Sequence, residues 1–241
     1  MRRAAKALGV WLSGLVVSIA QAGPPTMPTP LPASLTTSAP TPLRVDLGQI
    51  VTPEFRESVL KVIRNPTLST SAIGEEVVCT VAVYEWLYAH PDRVALAWQR
   101  LKIPSVAITP MGGGKFAWTD ENGSEVVWQT VGTFPDGLVW YATGKIKAAR
   151  ATPAVPVQGV VVVCYPKKFE KDGVALFAPT VQCYMHSDSR AANLILRMLG
   201  PAGPRVAEDA AGQLLEFFSG IAAYVQKHPN QAETLLGPAR K

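Results

Sequence analysis

The chain has 241 residues, 48% of them hydrophobic and 17% charged, with a formal net charge of +5. That length and composition support a sizeable apolar core and exclude a disordered polyelectrolyte. Arg2, Arg3 and Lys6 supply three of the positive charges and leave +2 for everything after them, with no dense Lys/Arg run, which excludes an electrostatic footprint for nucleic acid.

Residues 1–22 have the three parts of a secretory signal: a basic start, an apolar run from Ala7 to Ala20, and Ala20-Gln21-Ala22 before Gly23. The apolar run is shorter than the ~20 residues a spanning helix needs, so cleavage and export are expected, to a periplasmic or extracellular location. The alternative is an uncleaved N-terminal anchor, the one route to a membrane that this reading leaves. Residues 23–45 then change character. Seven prolines alternate with Thr, Ser and Ala, and Pro can neither donate to a ladder nor continue a helix, so a flexible spacer is expected. Residues 46–237 read as one α+β domain.

Thr52-Pro53-Glu54 opens the first helix, with Thr as N-cap and Pro at the first helical position. Phe55, Val59, Val62 and Ile63 share a side, and Asn65-Pro66 stops it. A second helix is expected from Gly74-Glu75-Glu76 onward, because Val77, Val81, Tyr84 and Tyr88 follow helical spacing. His90-Pro91-Asp92 ends it and starts a third, whose stripe is Val94, Ala97, Trp98 and Leu101.

From Ser105 to His186 the pattern becomes alternating, and five or six antiparallel strands are expected. Lys115–Thr119 and Ser124–Thr130 flank Asn122-Gly123, a hairpin signal expected to form a type I′ turn. Phe116 and Trp118 share a parity, as do Val126 and Trp128. Leu138, Trp140 and Ala142 repeat the pattern after Pro135-Asp136-Gly137. Val157–Tyr165 carries Val160–Val163 in an unbroken run, apolar on both sides, which predicts a central strand covered on both faces. Asp172-Gly173 turns the chain into a strand from Val174 to Met185. Ser187-Asp188-Ser189 is expected to cap a helix carrying Ala191, Leu194, Ile195, Met198 and Leu199. A last long helix, about Arg205–Lys227, carries Phe217, Phe218 and Ile221, and a short final turn follows at Gln231–Leu236.

Few side chains suggest chemistry. His90 and His228 sit in His-Pro junctions, where capping or backbone bonding is the expected role. His186-Ser187-Asp188-Ser189 brings a base, a carboxylate and hydroxyls together, but adjacency in sequence is not a triad. Cys79, Cys164 and Cys183 lack metal-site spacing. A turn centred at Asp172-Gly173 would set Cys164 opposite Val181, one step from Cys183, so a disulfide and buried free thiols both stay open. Gly112-Gly113-Gly114 precedes a strand rather than a helix, which fits a connector and not a phosphate loop. No cofactor, metal or catalytic residue is expected, and the enzyme question stays open with a lean against.

Five tryptophans lie in the domain, and Trp118, Trp128 and Trp140 fall on consecutive strands with similar facing. They make a packed core, or they line a cavity. The order of elements, helices then an antiparallel meander then a long amphipathic helix, resembles that of helix-grip domains; no residue motif identifies a family. The resemblance implies a sheet curved around the C-terminal helix, with Trp118, Trp128, Trp140, Phe217, Phe218 and Ile221 facing a lipid or other apolar small molecule. The competing expectation is an envelope module that binds another protein through an exposed edge or face, with a solid core.

Overall fold

The computed structural model describes residues 45–147, 150–189 and 203–238, so the expected signal, nearly all of the expected spacer and the helix expected over Ala191–Leu199 lie outside the described residues. Two helices come first, α1 (Leu47–Ile50) and α2 (Pro53–Arg64). Strands β1 (Leu68–Ile73) and β2 (Val77–Thr80) precede α3 (Val81–Ala89) and α4 (Pro91–Arg100). Then come β3 (Ile108–Gly112), β4 (Lys115–Thr119), β5 (Glu125–Phe134), β6 (Gly137–Ile146), β7 (Val155–Cys164), β8 (Lys167–Lys171), β9 (Val174–Phe177) and β10 (Thr180–His186). The long helix α5 spans Gly203–Lys227, and a 3-10 turn at Pro229–Gln231 leads into α6 (Ala232–Leu236).

The main sheet is antiparallel in the order β1-β10-β7-β6-β5-β4-β3, and a three-stranded sheet, β2-β9-β8, sits beside it. The class is the expected α+β meander, with seven strands in the main sheet rather than five or six. β7 is central and covered on both faces: Val161 and Val163 belong to one buried cluster, Val160 and Val162 to another. The convex face, with Val131, Val139 and Tyr141, is covered by Leu47, Val59 and Val62 from the first two helices and by Val51 between them. The concave face takes α5, which packs on β1, β2 and β10 and against α3 and α4. The main sheet is therefore the middle of three layers, and Trp118, Trp128 and Trp140 lie in the same apolar cluster as the long helix. No helix among the described residues is long and apolar enough to cross a membrane.

Three local expectations are corrected. The segment read as the start of the second helix is strand: β2 holds Val77–Thr80 and the helix begins only at Val81. Val77, Val78 and Thr80 are β-branched and prefer an extended backbone, and Val77 fell on the helical spacing by coincidence. Leu68-Ser69-Thr70-Ser71-Ala72-Ile73 has too little apolar contrast to predict a strand, yet β1 pairs along its whole length with β10. The Asn122-Gly123 hairpin forms, but Gly123 alone takes positive φ (+83°) there, and Asp120 Oδ1 accepts from the amides of Asn122 (2.9 Å) and Ser124 (2.7 Å). This is an Asx-type turn rather than type I′. The type I′ signature, positive φ at both central residues, appears instead at Asp172 (+53°) and Gly173 (+76°).

Candidate functional site

The concave face is built from strand parity. Register sets Phe116 opposite Trp128 and Trp128 opposite Ala142, with Ala142 opposite Gly159. The adjacent rows carry Trp118 opposite Val126, and Thr130 opposite Trp140 opposite Val161. Phe116 and Trp128 lie 5.8 Å apart between ring centroids. Trp118, Trp128, Trp140, Phe217, Phe218 and Ile221 are all buried and all belong to one apolar cluster between sheet and helix.

Ring contacts tie the helix to the sheet. Phe218 stacks on Tyr88 at 4.2 Å and lies 5.7 Å from Trp140; Phe217 packs edge-on to Phe218 at 5.0 Å. Tyr84 and Tyr88, four residues apart on α3, extend this aromatic layer to Phe177 (4.2 Å) and Tyr165 (5.2 Å). Those four rings were not among the expected site residues. The i, i+4 spacing of the two tyrosines was the signal that would have found half of them.

Polar groups in this layer are few. The Tyr84 hydroxyl and Ser219 Oγ lie 3.3 Å apart, and Trp98 Nε1 donates to the Phe217 carbonyl at 2.9 Å. Two buried donors of this layer differ: Trp128 Nε1 and the Tyr88 hydroxyl have no hydrogen-bond partner. A surface pocket of about 550 Å³ runs along Pro53, Arg56, Leu60, Lys61 and Arg64, on the helix that covers the opposite, convex face.

The histidines act on backbone and neighbours. His90 Nδ1 lies 2.9 Å from the Trp86 carbonyl, with its ring stacked on Trp86 at 4.2 Å, and His228 packs on Tyr224 at 4.6 Å. His186 Nδ1 meets the Asn65 carbonyl at 2.6 Å and Nε2 meets Asp188 Oδ1 at 3.0 Å. Asp188 Oδ2 also accepts from Lys61 at 3.1 Å, and these bonds, Lys61 first, hold its carboxyl below the usual range. The Ser187 hydroxyl donates to the Pro156 carbonyl at 2.6 Å and so is turned away from His186. The cluster joins the end of α2 to the end of β10. Among the described residues no group of three His, Cys, Asp or Glu side chains is placed to hold a metal.

The cysteines are free. The strand expected over Val174–Met185 breaks at Ala178-Pro179, which shifts the register: Cys164 stands opposite Thr180, not Val181, and Cys183 opposite Val161. Cys183 lies in the concave cluster and Cys164 against the convex one, so they point to opposite sides of the sheet. Cys79 is in β2 rather than a helix. Burial pushes its thiol up to about 11 and Cys183 well above its ordinary value. Burial likewise raises Tyr84 and Tyr88, and takes Tyr165 to about 12.

These directions predict behaviour in base. A group raised in the fold binds more protons there than in the unfolded chain, so its contribution is complete below the unfolded value and is lost as pH rises toward the folded one. For Cys79 the window is pH 9 to about 11, and for Tyr165 pH 10 to about 12. Discounted for solvent screening, each is worth about 1–2 kcal/mol. The urea midpoint is therefore expected to fall steadily above pH 9, and an aromatic disulfide reagent at pH 8 should find Cys79 and Cys183 silent until denaturant is added, leaving at most the half-buried Cys164 to react. A flat midpoint to pH 11, or more than one thiol that reacts at once in the native protein, would contradict the burial of these groups.

No protein-family model matches the chain, and no curated protein does. Solved structures with a similar chain path include a conserved protein of Geobacillus kaustophilus, at 12% identity and a TM-score of 0.42, covering 65% of this chain and 95% of that one. A hypothetical protein of Helicobacter pylori matches at 12% identity and a TM-score of 0.40, covering 79% and 99%. A norcoclaurine synthase point mutant of Thalictrum flavum matches at 12% and 0.34, covering 66% and 97%.

Proposed function

We propose that the chain is an exported, non-catalytic carrier or sensor that holds an apolar small molecule or lipid between the sheet and α5. Trp118, Trp128, Trp140, Phe217, Phe218 and Ile221 would contact the ligand. The observation that supports this is the convergence of all six on one layer, with the long helix laid along the tryptophan side of the sheet. Aromatic and aliphatic walls with few polar groups suit a ligand that gains by leaving water. Protein purified from an exporting bacterium is expected to carry extractable lipid or hydrophobic small molecule in native mass spectrometry. After delipidation it should gain thermal stability with fatty-acid esters or sterol-like compounds. An apo mass alone, with no thermal shift, would overturn the reading.

A second reading is favoured by one surface. In the small sheet, Val78 pairs with Leu176 and Leu176 with Phe169, so one row of apolar side chains faces outward; Val78 and Phe169 are exposed. β8 is a free edge, exposed throughout. Such a face suits an envelope protein partner. A co-purifying protein lost on Phe169→Glu, with no small molecule present, would select this reading over the carrier.

A further inference from the structure

We infer that the indole N–H of Trp128 is the polar recognition point of the site, and that the ligand is an apolar skeleton bearing an uncharged oxygen acceptor, such as a ketone or ester. The inference rests on the carrier reading and sharpens its ligand class.

Trp128 is 5% exposed, and its Nε1 has no hydrogen-bond partner. Buried N–H groups are nearly always paired, and one left unmet is an exception that calls for an explanation. The comparison within the same cluster is direct: the buried indole of Trp98 has its acceptor, the Phe217 carbonyl at 2.9 Å. Parity places Trp128 on the concave face, where its cross-strand neighbours are Phe116 and Ala142, and Gly159 follows Ala142 in the same row. None of these three side chains accepts a hydrogen bond. The row also steps from two large rings to a methyl and then to a glycine without a side chain, so beyond Trp128 it offers no polar side chain at Ala142 or Gly159.

Charge narrows the class further. Among the described residues no Lys, Arg or His side chain is buried; the buried polar groups are neutral, the hydroxyls of Ser124, Ser187 and Ser219 and of tyrosines such as Tyr84 and Tyr88, and the tryptophan N–H groups. A carboxylate brought to Trp128 would be buried without a counter-ion, which is far costlier than a neutral acceptor. A single N–H donor matches a carbonyl or ether oxygen and has nothing to offer an alkane.

Two matched pairs of probes test this: 9-fluorenone with fluorene, and 2-undecanone with undecane, measured by equilibrium dialysis on wild type and Trp128→Phe. Trp128→Phe is expected to weaken the ketone of a pair about fivefold more than its hydrocarbon, the net worth of one neutral hydrogen bond. Equal losses for ketone and hydrocarbon would overturn the inference and leave the carrier standing. Failure of both pairs to bind the wild type would remove the carrier reading and this inference with it. Should the variant not fold, the ¹⁵N-indole spectrum of the wild type decides alone. The Trp128 proton, assigned through its contacts to Phe116 and Ala142, should move downfield with fluorenone and not with fluorene; an unmoved signal at ketone saturation would overturn the inference.

Discussion

Phe218→Ala is expected to lower the stability of the folded chain by about 3–5 kcal/mol, the range for removing a fully buried aromatic ring from a core. The side chain has no exposed surface, and it touches three other rings: Tyr88, Trp140 and Phe217. Tyr88 belongs to α3, Trp140 to the sheet and Phe217 to α5, so one truncation loosens three elements at once. With a urea m-value of about 2–3 kcal/mol/M, the unfolding midpoint should drop by roughly 1–2 M. The matched control is Phe169→Ala. That ring is also a phenyl, but it stands 61% exposed on β8, and its removal should cost less than about 0.5 kcal/mol. Equal effects at the two positions would mean that α5 is not seated on the tryptophan side, and the proposed site would lose its second wall.

Much of this arrangement was legible because parity and period reported on burial. The Val160–Val163 run could be placed at the centre of the sheet without coordinates, since a strand apolar on both faces must be covered twice. Phe116, Trp118, Val126, Trp128 and Trp140 were assigned to one face from alternation alone, and they share one cluster. The residues that escaped detection carry weaker signals. β1 is made largely of Ser, Thr and Ala, so its inward and outward positions hardly differ in hydropathy, and its place at the sheet edge comes from the topology of the seven-stranded sheet rather than from its own pattern. β2 was absorbed into a helix because four residues are too few to distinguish a period of 2 from one of 3.6. The break at Ala178-Pro179 had a visible cause, a proline without an amide hydrogen, yet its consequence, a second sheet and a shifted cysteine register, depends on long-range pairing. The unmet N–H of Trp128 has no sequence signature at all, because a tryptophan reads the same whether or not its donor is satisfied.

Two glycines of α5 should answer the same substitution with opposite signs. In a helix interior, Gly→Ala ordinarily stabilises by about 0.5–1 kcal/mol, because alanine loses less backbone entropy on folding. Gly212 meets that condition: a Cβ built there has nothing within 4 Å, so Gly212→Ala should raise the urea midpoint. Gly220 does not. A Cβ there would lie 2.7 Å from Cζ2 and from Cη2 of Trp98, closer than real contacts allow. The indole cannot swing aside freely, because its Nε1 donates to the Phe217 carbonyl one turn back on the same helix. A methyl at 220 must therefore push α4 from α5 or break that bond and leave the donor unmet. Overpacking of this kind costs about 1–3 kcal/mol, which outweighs the helix-propensity gain, so Gly220→Ala should lower the midpoint. Removing the ring separates the causes. In a Trp98→Phe background the clash and the anchoring bond are both gone, and adding Gly220→Ala should then be neutral or stabilising. A Gly220→Ala protein more stable than its parent would show that Trp98 does not lie across the helix at this point.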